Sequence, residues 1–162
     1  MKILTSFLIF LLFMSSDQSM SADADGSNKI RLMGELLDGN KKRVTVKDIE
    51  AIGTIEADVF NPYEKRSDRY TGVWMKDFVA RYAKATTNQL TTTAIDDYSV
   101  TFNKTDWTNL KILIATQVNG QYIGFDKKGP LRIAFVDFDE EHELYEENLP
   151  KWTWMIKKIE FK

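Results

Sequence analysis

Two short stretches hold the residues best suited to chemistry. Asp97-Tyr98 sets a carboxylate beside a phenol, and Lys128-Gly129-Pro130-Leu131-Arg132 places cations around a glycine-proline turn. The acid-phenol pair could hold a polar ligand. Equally, the aspartate could complete a turn while the tyrosine packs its ring and its hydroxyl finds a backbone partner. The cationic stretch could present backbone amides and charge to an anion, or lead rigidly into a strand with both cations solvated. Arg132 alternates with Leu131 and Ile133, so it is expected on the opposite face, and its planar fork suits oxyanions and carboxylates better than Lys128 does. Trp107 lies in a polar stretch, Asn103 to Asn109, and could stack on a flat ligand or a partner; core packing is its alternative. Asp97, Tyr98, Trp107, Lys128 and Arg132 are therefore the candidate ligand-binding residues.

Other chemistry lacks its parts. The chain has one histidine, His142, and no cysteine. Classical zinc sites and Ser-His or Cys-His catalysis are nearly ruled out, and no thiolate can serve a metal, a redox step or a nucleophile. His142 sits in Asp139-Glu140-Glu141-His142-Glu143, where no glycine supplies the sharp turn of a calcium loop, so the segment reads as solvated and acidic. Asp96 and Asp97 are adjacent; in a strand they point to opposite faces and cannot form a catalytic dyad. No catalytic and no metal-binding residue is expected.

The elements that must position these residues are mostly strands. Lys29 to Leu36 reads as an opening strand turned by Asp38-Gly39-Asn40. Thr45-Val46-Lys47-Asp48 fits a capping box, and Val46, Ile49 and Ile52 share one face of a short helix ending at Gly53. Thr54 to Phe60 alternates as a half-buried strand, and Asn61 to Arg69, polar and containing Pro62, reads as a loop. The strongest helical spacing runs from Val73 to Ala85 through Trp74, Phe78 and Tyr82. Leu90 to Ala94 and Tyr98 to Phe102 are strands, and Thr105 is expected to cap a single turn carrying Trp107. Lys111 to Val118 and Gln121 to Phe125 flank Asn119-Gly120, a type I′ hairpin signal. Pro130 to Phe138 and Trp152 to Phe161 complete the strands, the last with a bulge near Lys157-Lys158, where the alternation slips. The class is α+β, mostly β with a few short helices.

Compartment is suggested by the first residues. Lys2 precedes an almost wholly apolar run from Ile3 to Met14, followed by small and polar residues. This is the order of a secretory signal peptide, too short for a spanning helix, and residues 1–22 are assigned to it. Residues 23–162 form a single expected domain. Removing Lys2 and Asp17 leaves the formal charge at −2. Such a mildly acidic chain is a poor nucleic-acid binder. An exported, periplasmic protein, soluble after cleavage, is expected; without cysteine it must hold itself together by packing alone.

The order of motifs resembles the small, free-standing members of the oxidoreductase molybdopterin-binding family, with its sulfite-oxidase-type fold. The residues that carry the resemblance are Gly34-Glu35-Leu36, Thr45-Val46-Lys47-Asp48-Ile49, Gly72-Val73-Trp74-Met75-Lys76-Asp77-Phe78-Val79 and Asp97-Tyr98. Asn119-Gly120, Lys128-Gly129-Pro130-Leu131, and Trp154 with Ile159 continue it in the same order. Catalytic relatives place a metal-binding cysteine where this chain has Ala57-Asp58-Val59-Phe60-Asn61. An oxygen donor such as Asp58 is a poor replacement for a thiolate on molybdenum. Arg66 and Arg69 do not match the family's cofactor-gripping arginines. The resemblance thus implies the fold with its usual chemistry lost: a pseudoenzyme that needs no cofactor and binds a small anionic or polar ligand. Its implied partner is an inner-membrane sensor, a kinase or a cyclic-dinucleotide enzyme. The alternative is a molybdopterin-dependent oxidoreductase with a cysteine-free metal site.

Overall fold

The computed structural model describes residues 25–162, so the expected signal peptide lies outside the described residues. Two sheets organise the chain. The first takes β1 (Lys29–Gly34), β2 (Arg43–Thr45), β5 (Gln89–Ala94), β6 (Ser99–Asn103) and β10 (Ile156–Phe161) in the order β2-β1-β10-β5-β6. The second runs β3 (Ile55–Asn61), β4 (Arg66–Trp74), β7 (Ile112–Val118) and β8 (Gln121–Tyr122), with β9 (Arg132–Phe135) also paired to β7. Inward residues of both sheets join one contiguous apolar cluster, from Ile30 and Leu32 of β1 to Ile112, Leu113 and Ile114 of β7.

Short helices cover the ends. In α1 (Val46–Glu50) the capping box is complete: the Asp48 amide donates to Thr45 Oγ1 at 3.0 Å, and the Thr45 amide donates to Asp48 Oδ2 at 2.8 Å. These bonds satisfy amides that the first turn cannot pair internally. The α2 helix (Met75–Tyr82) buries Met75, Phe78, Val79 and Tyr82, the spacing that its sequence carries. It starts later and stops earlier than that spacing predicts. Val73 and Trp74 still belong to β4, and Ala83 is extended because it bridges Leu36.

Other departures have local causes. Asn61 to Arg69 is not one loop: β4 begins at Arg66 and pairs with β3 from there to Gly72. Its outer half is held by ions, Arg69 to Asp58 and Arg66 to Asp68, so it lacks the apolar alternation that marks a strand in sequence. In α3 (Lys104–Asn109) the cap is Asn103 rather than Thr105, with Asp106 closing the box. The chain after Tyr122 leaves β8 for a 3-10 turn, Phe125–Lys127, and β9 is confined to Arg132–Phe135. Trp152 and Trp154 precede β10. Their segment runs beside the 128–133 segment instead, where the Ile133 amide donates to Thr153 O at 2.6 Å and the Met155 amide to Lys128 O at 3.1 Å. The bulge falls as the sequence predicts, between Ile156 and Lys158, and Asn119 and Gly120 both take positive φ in the β7–β8 turn.

Candidate functional site

The site grows from the β3–β4 turn. Asn61, last residue of β3, is buried, and its side-chain oxygen accepts the amides of Tyr63 and Glu64 at 3.0 and 3.2 Å. This turn aims Glu64 across at β9. Arg132, one residue after Leu131, faces away from the core, as alternation requires, and its side chain is only 11% exposed. Its Nη1 donates to Glu64 Oε1 and to the Tyr70 hydroxyl, each at 3.3 Å, and its Nη2 donates to the Lys127 carbonyl. Asn61 Nδ2 also reaches the Tyr70 hydroxyl at 3.3 Å. The β3–β4 turn, β4 and the 3-10 turn thus meet at the one guanidinium carried by β9.

The 124–130 segment closes the other side. The Gly129 amide donates to Gly124 O at 2.7 Å, and a Cβ at Gly129 would stand 1.7 Å from Ile123 O. Only glycine allows this approach. Lys128 ends the 3-10 turn in the left-handed region, φ 60°, with its ammonium 4.7 Å from the Trp154 ring centroid. This is cation–π distance. Tyr122 approaches from β8. Its hydroxyl donates to Glu50 Oε2 at 2.8 Å, and Thr116 and Gln117 donate to Glu50 Oε1 at 2.7 and 2.8 Å. Burial first, then the Glu50 carboxylate, pushes the Tyr122 phenol above its ordinary value.

Between these walls lies an open cleft of about 690 Å³, whose charged lining is Arg66, Lys127, Lys128 and Arg132 against Glu64 and Asp126. Four cations face two carboxylates, so the lining favours an anion. A narrow recess of about 10 Å³, the room of one water-sized group, shares Glu64, Lys128 and Arg132 with the cleft and is lined further in by Asn61, Tyr70 and Trp152. Two lining residues of the recess carry buried donors without an acceptor, Arg132 Nε and Trp152 Nε1. Both atoms can only donate. The arrangement can bind an oxygen-bearing group. His142 stands elsewhere, its Nδ1 accepting from the Leu144 amide at 3.1 Å.

The five sequence candidates separate. Lys128 and Arg132 come together in the cleft. Asp97 and Tyr98 lie away from it, in the turn before β6. Asp97 takes φ 68° and pairs with Lys157 at 2.8 Å, a hydrogen bond and charge that hold its carboxyl below the usual range. The Tyr98 hydroxyl donates to Pro150 O at 2.9 Å. Trp107 is buried, because α3 turns its single large apolar side chain to the core while Asp106 pairs outward with Lys151. Glu64, Tyr70, Tyr122 and Trp152 were missed. Each belongs to a different element from Arg132, and nothing local in the sequence links them.

A molybdenum centre does not fit these residues. Of the stretch 57–61, Asn61 lines the recess, and its carboxamide is already engaged on both sides. Asp58 is on the opposite, outward face, held by Arg69 through two 2.9 Å bonds. With no cysteine in the sequence, the thiolate that molybdenum prefers is missing.

No family model matches this chain, and no curated protein matches it. Among solved structures, the sulfane dehydrogenase SoxCD from Paracoccus pantotrophus matches with a TM-score of 0.58 at 11% identity. The match covers 84% of this chain and 38% of that one, so the chain spans well under half the length of that protein. Likeness at this identity carries the fold and nothing finer. The chain has an α+β fold, mostly strand with a few short helices, of the sulfite-oxidase type.

Proposed function

We propose that this chain is an exported, non-catalytic binding module that takes a small anion at the Arg132 cleft and passes its state to an inner-membrane sensor. One observation carries the ligand: Arg132 Nε and Trp152 Nε1, buried donors without acceptors, line a recess beneath a cleft where cations outnumber carboxylates. Buried donors are normally paired, so an acceptor oxygen from a ligand or a water belongs there. Arg132 is pre-ordered by Glu64, Tyr70 and the Lys127 carbonyl, which lowers the ordering cost of binding. Export rests on the Ile3 to Met14 segment, and the sensor on the family resemblance.

The test is calorimetric titration of the purified protein with inorganic sulfate and with succinate. Binding of either, weakened at least tenfold by Lys128→Gln and abolished by a folded Arg132→Gln, supports the reading. Undiminished binding by folded Arg132→Gln, or no binding of either anion by wild type, overturns the ligand assignment. Stoichiometric molybdenum with pterin in protein from its native host would overturn the non-catalytic reading.

A further inference from the structure

The outward face of the first sheet carries a block of cations remote in sequence from the cleft. Arg31 on β1 stands directly opposite Arg43 on β2 and directly opposite Lys158 on β10. Lys29 lies two residues from Arg31 on the same face, and Lys157 is displaced beside Lys158 by the bulge. These five side chains line one hollow of about 420 Å³, and no carboxylate lines it. Strand spacing of about 4.8 Å puts the Arg43–Arg31–Lys158 row within about 10 Å. Like charges directly opposite one another on a sheet are destabilising. Of the five, Lys157 alone makes an ion pair among the described residues, with Asp97. Hydroxyls continue the row: Thr93 is opposite Lys158, and Ser99, opposite Thr93, donates to its hydroxyl at 3.1 Å.

The geometry points to an anionic lipid surface as the occupant of this face. The cations span three adjacent strands, β2, β1 and β10, which matches an array of headgroups better than a single strand of polyanion. No aromatic side chain lines the hollow, so it lacks the stacking platform of a nucleic-acid groove.

The experiment is co-sedimentation of the purified protein with phosphatidylglycerol–phosphatidylcholine vesicles and with phosphatidylcholine vesicles. A cation near an anionic surface is worth roughly fivefold in affinity, so Arg31→Gln/Arg43→Gln/Lys158→Gln should weaken binding to the anionic vesicles by about a hundredfold. A control, Lys76→Gln/Lys84→Gln/Lys104→Gln, removes the same charge from other surfaces and should change it far less. Binding should also collapse at about 1 M salt, where the screening length is near 3 Å. Equal binding to both vesicle types, equal losses in the two triple variants, or undiminished binding by the first overturns the proposal. So does wild-type protein that captures soluble polyphosphate but leaves anionic vesicles in the supernatant. Melting temperatures of both variants exclude unfolding as the cause.

Discussion

Arg132 and Arg31 are the same side chain in opposite circumstances. Arg132 is nearly buried, and the fold answers its guanidinium with a carboxylate, a phenol and a backbone carbonyl. Arg31 is exposed, makes no ion pair among the described residues, and has a cation opposite it on each side. Burial makes an unanswered polar atom costly, so in the cleft the informative atoms are the ones left over, Arg132 Nε and Trp152 Nε1. Solvent removes most of that cost, so on the sheet face a missing partner says little. What informs there is the placement of like charges in register, which the fold does not need.

The largest expected effect would break the cleft itself. Gly129→Ala puts a methyl group on the Ile123 carbonyl oxygen, and that backbone cannot yield without moving the Lys128 turn. A loss of about 3 kcal/mol in urea unfolding is expected, with anion binding lost at temperatures where the variant remains folded. A loss below about 1 kcal/mol would mean that the 124–130 segment is soft and does not fix Lys128.

Arg132→Ala comes next. It leaves Glu64 with Arg66 at 3.3 Å as its remaining ion pair, and the Tyr70 hydroxyl with Asn61 Nδ2 at 3.3 Å. Glu64 is partly solvated, its side chain 23% exposed, so the cost is put at about 2 kcal/mol, below that of breaking a fully buried pair. A double-mutant cycle with Glu64→Ala should return a coupling of about 1 kcal/mol. Zero coupling would show that Tyr70 and the Lys127 carbonyl alone hold the guanidinium.

A smaller effect distinguishes local scaffolding from both charged regions. Thr45→Ala removes the α1 cap and should cost about 1 kcal/mol at neutral pH. The bonds from Thr45 hold the Asp48 carboxyl below its ordinary value. A depressed carboxyl contributes stability above its unfolded pKa, about 3.9, and loses it as pH falls through the lower folded value. The stability gap between wild type and Asp48→Asn should therefore be full at neutral pH and close progressively in acid. A gap that widens in acid would contradict the sign of the shift.

What the sequence discloses about these regions follows the range of the interactions. The Thr45–Asp48 box, the Asn119-Gly120 turn and the slipped alternation at Lys157 are set within a few residues, and each is legible. Arg132's face is legible for the same reason, from its apolar neighbours. The outer β3–β4 hairpin is not, because charge pairs, Arg69 with Asp58 and Glu56 across the strands and Arg66 with Asp68 along β4, replace apolar alternation there. Nor is the cleft as a whole, since Glu64, Tyr70 and Trp152 reach Arg132 from positions far apart in the chain. Trp107 shows the remaining gap. One apolar residue in a polar helix looks the same in sequence whether it faces a ligand or the core. The cation row is hidden similarly, because Arg31, Arg43 and Lys158 are scattered until β10 inserts beside β1.

The smallest effect bears most directly on that row. If its charges serve the fold, neutralising them should cost stability; if they serve a partner, the free protein should gain. Arg31 is the pivot, because it meets a cation across both of its strand pairings. Arg31→Gln keeps a long polar side chain over the sheet and removes both repulsions, each worth a few tenths of a kcal/mol up to about 1 kcal/mol. Thermal unfolding at low salt should show a rise of a few degrees at most. The gain should shrink in about 1 M salt, where screening already suppresses the repulsion in wild type. A fall in stability that salt does not alter would place Arg31 with Arg132, as a cation the fold requires, and would remove the reason for assigning this face to a partner.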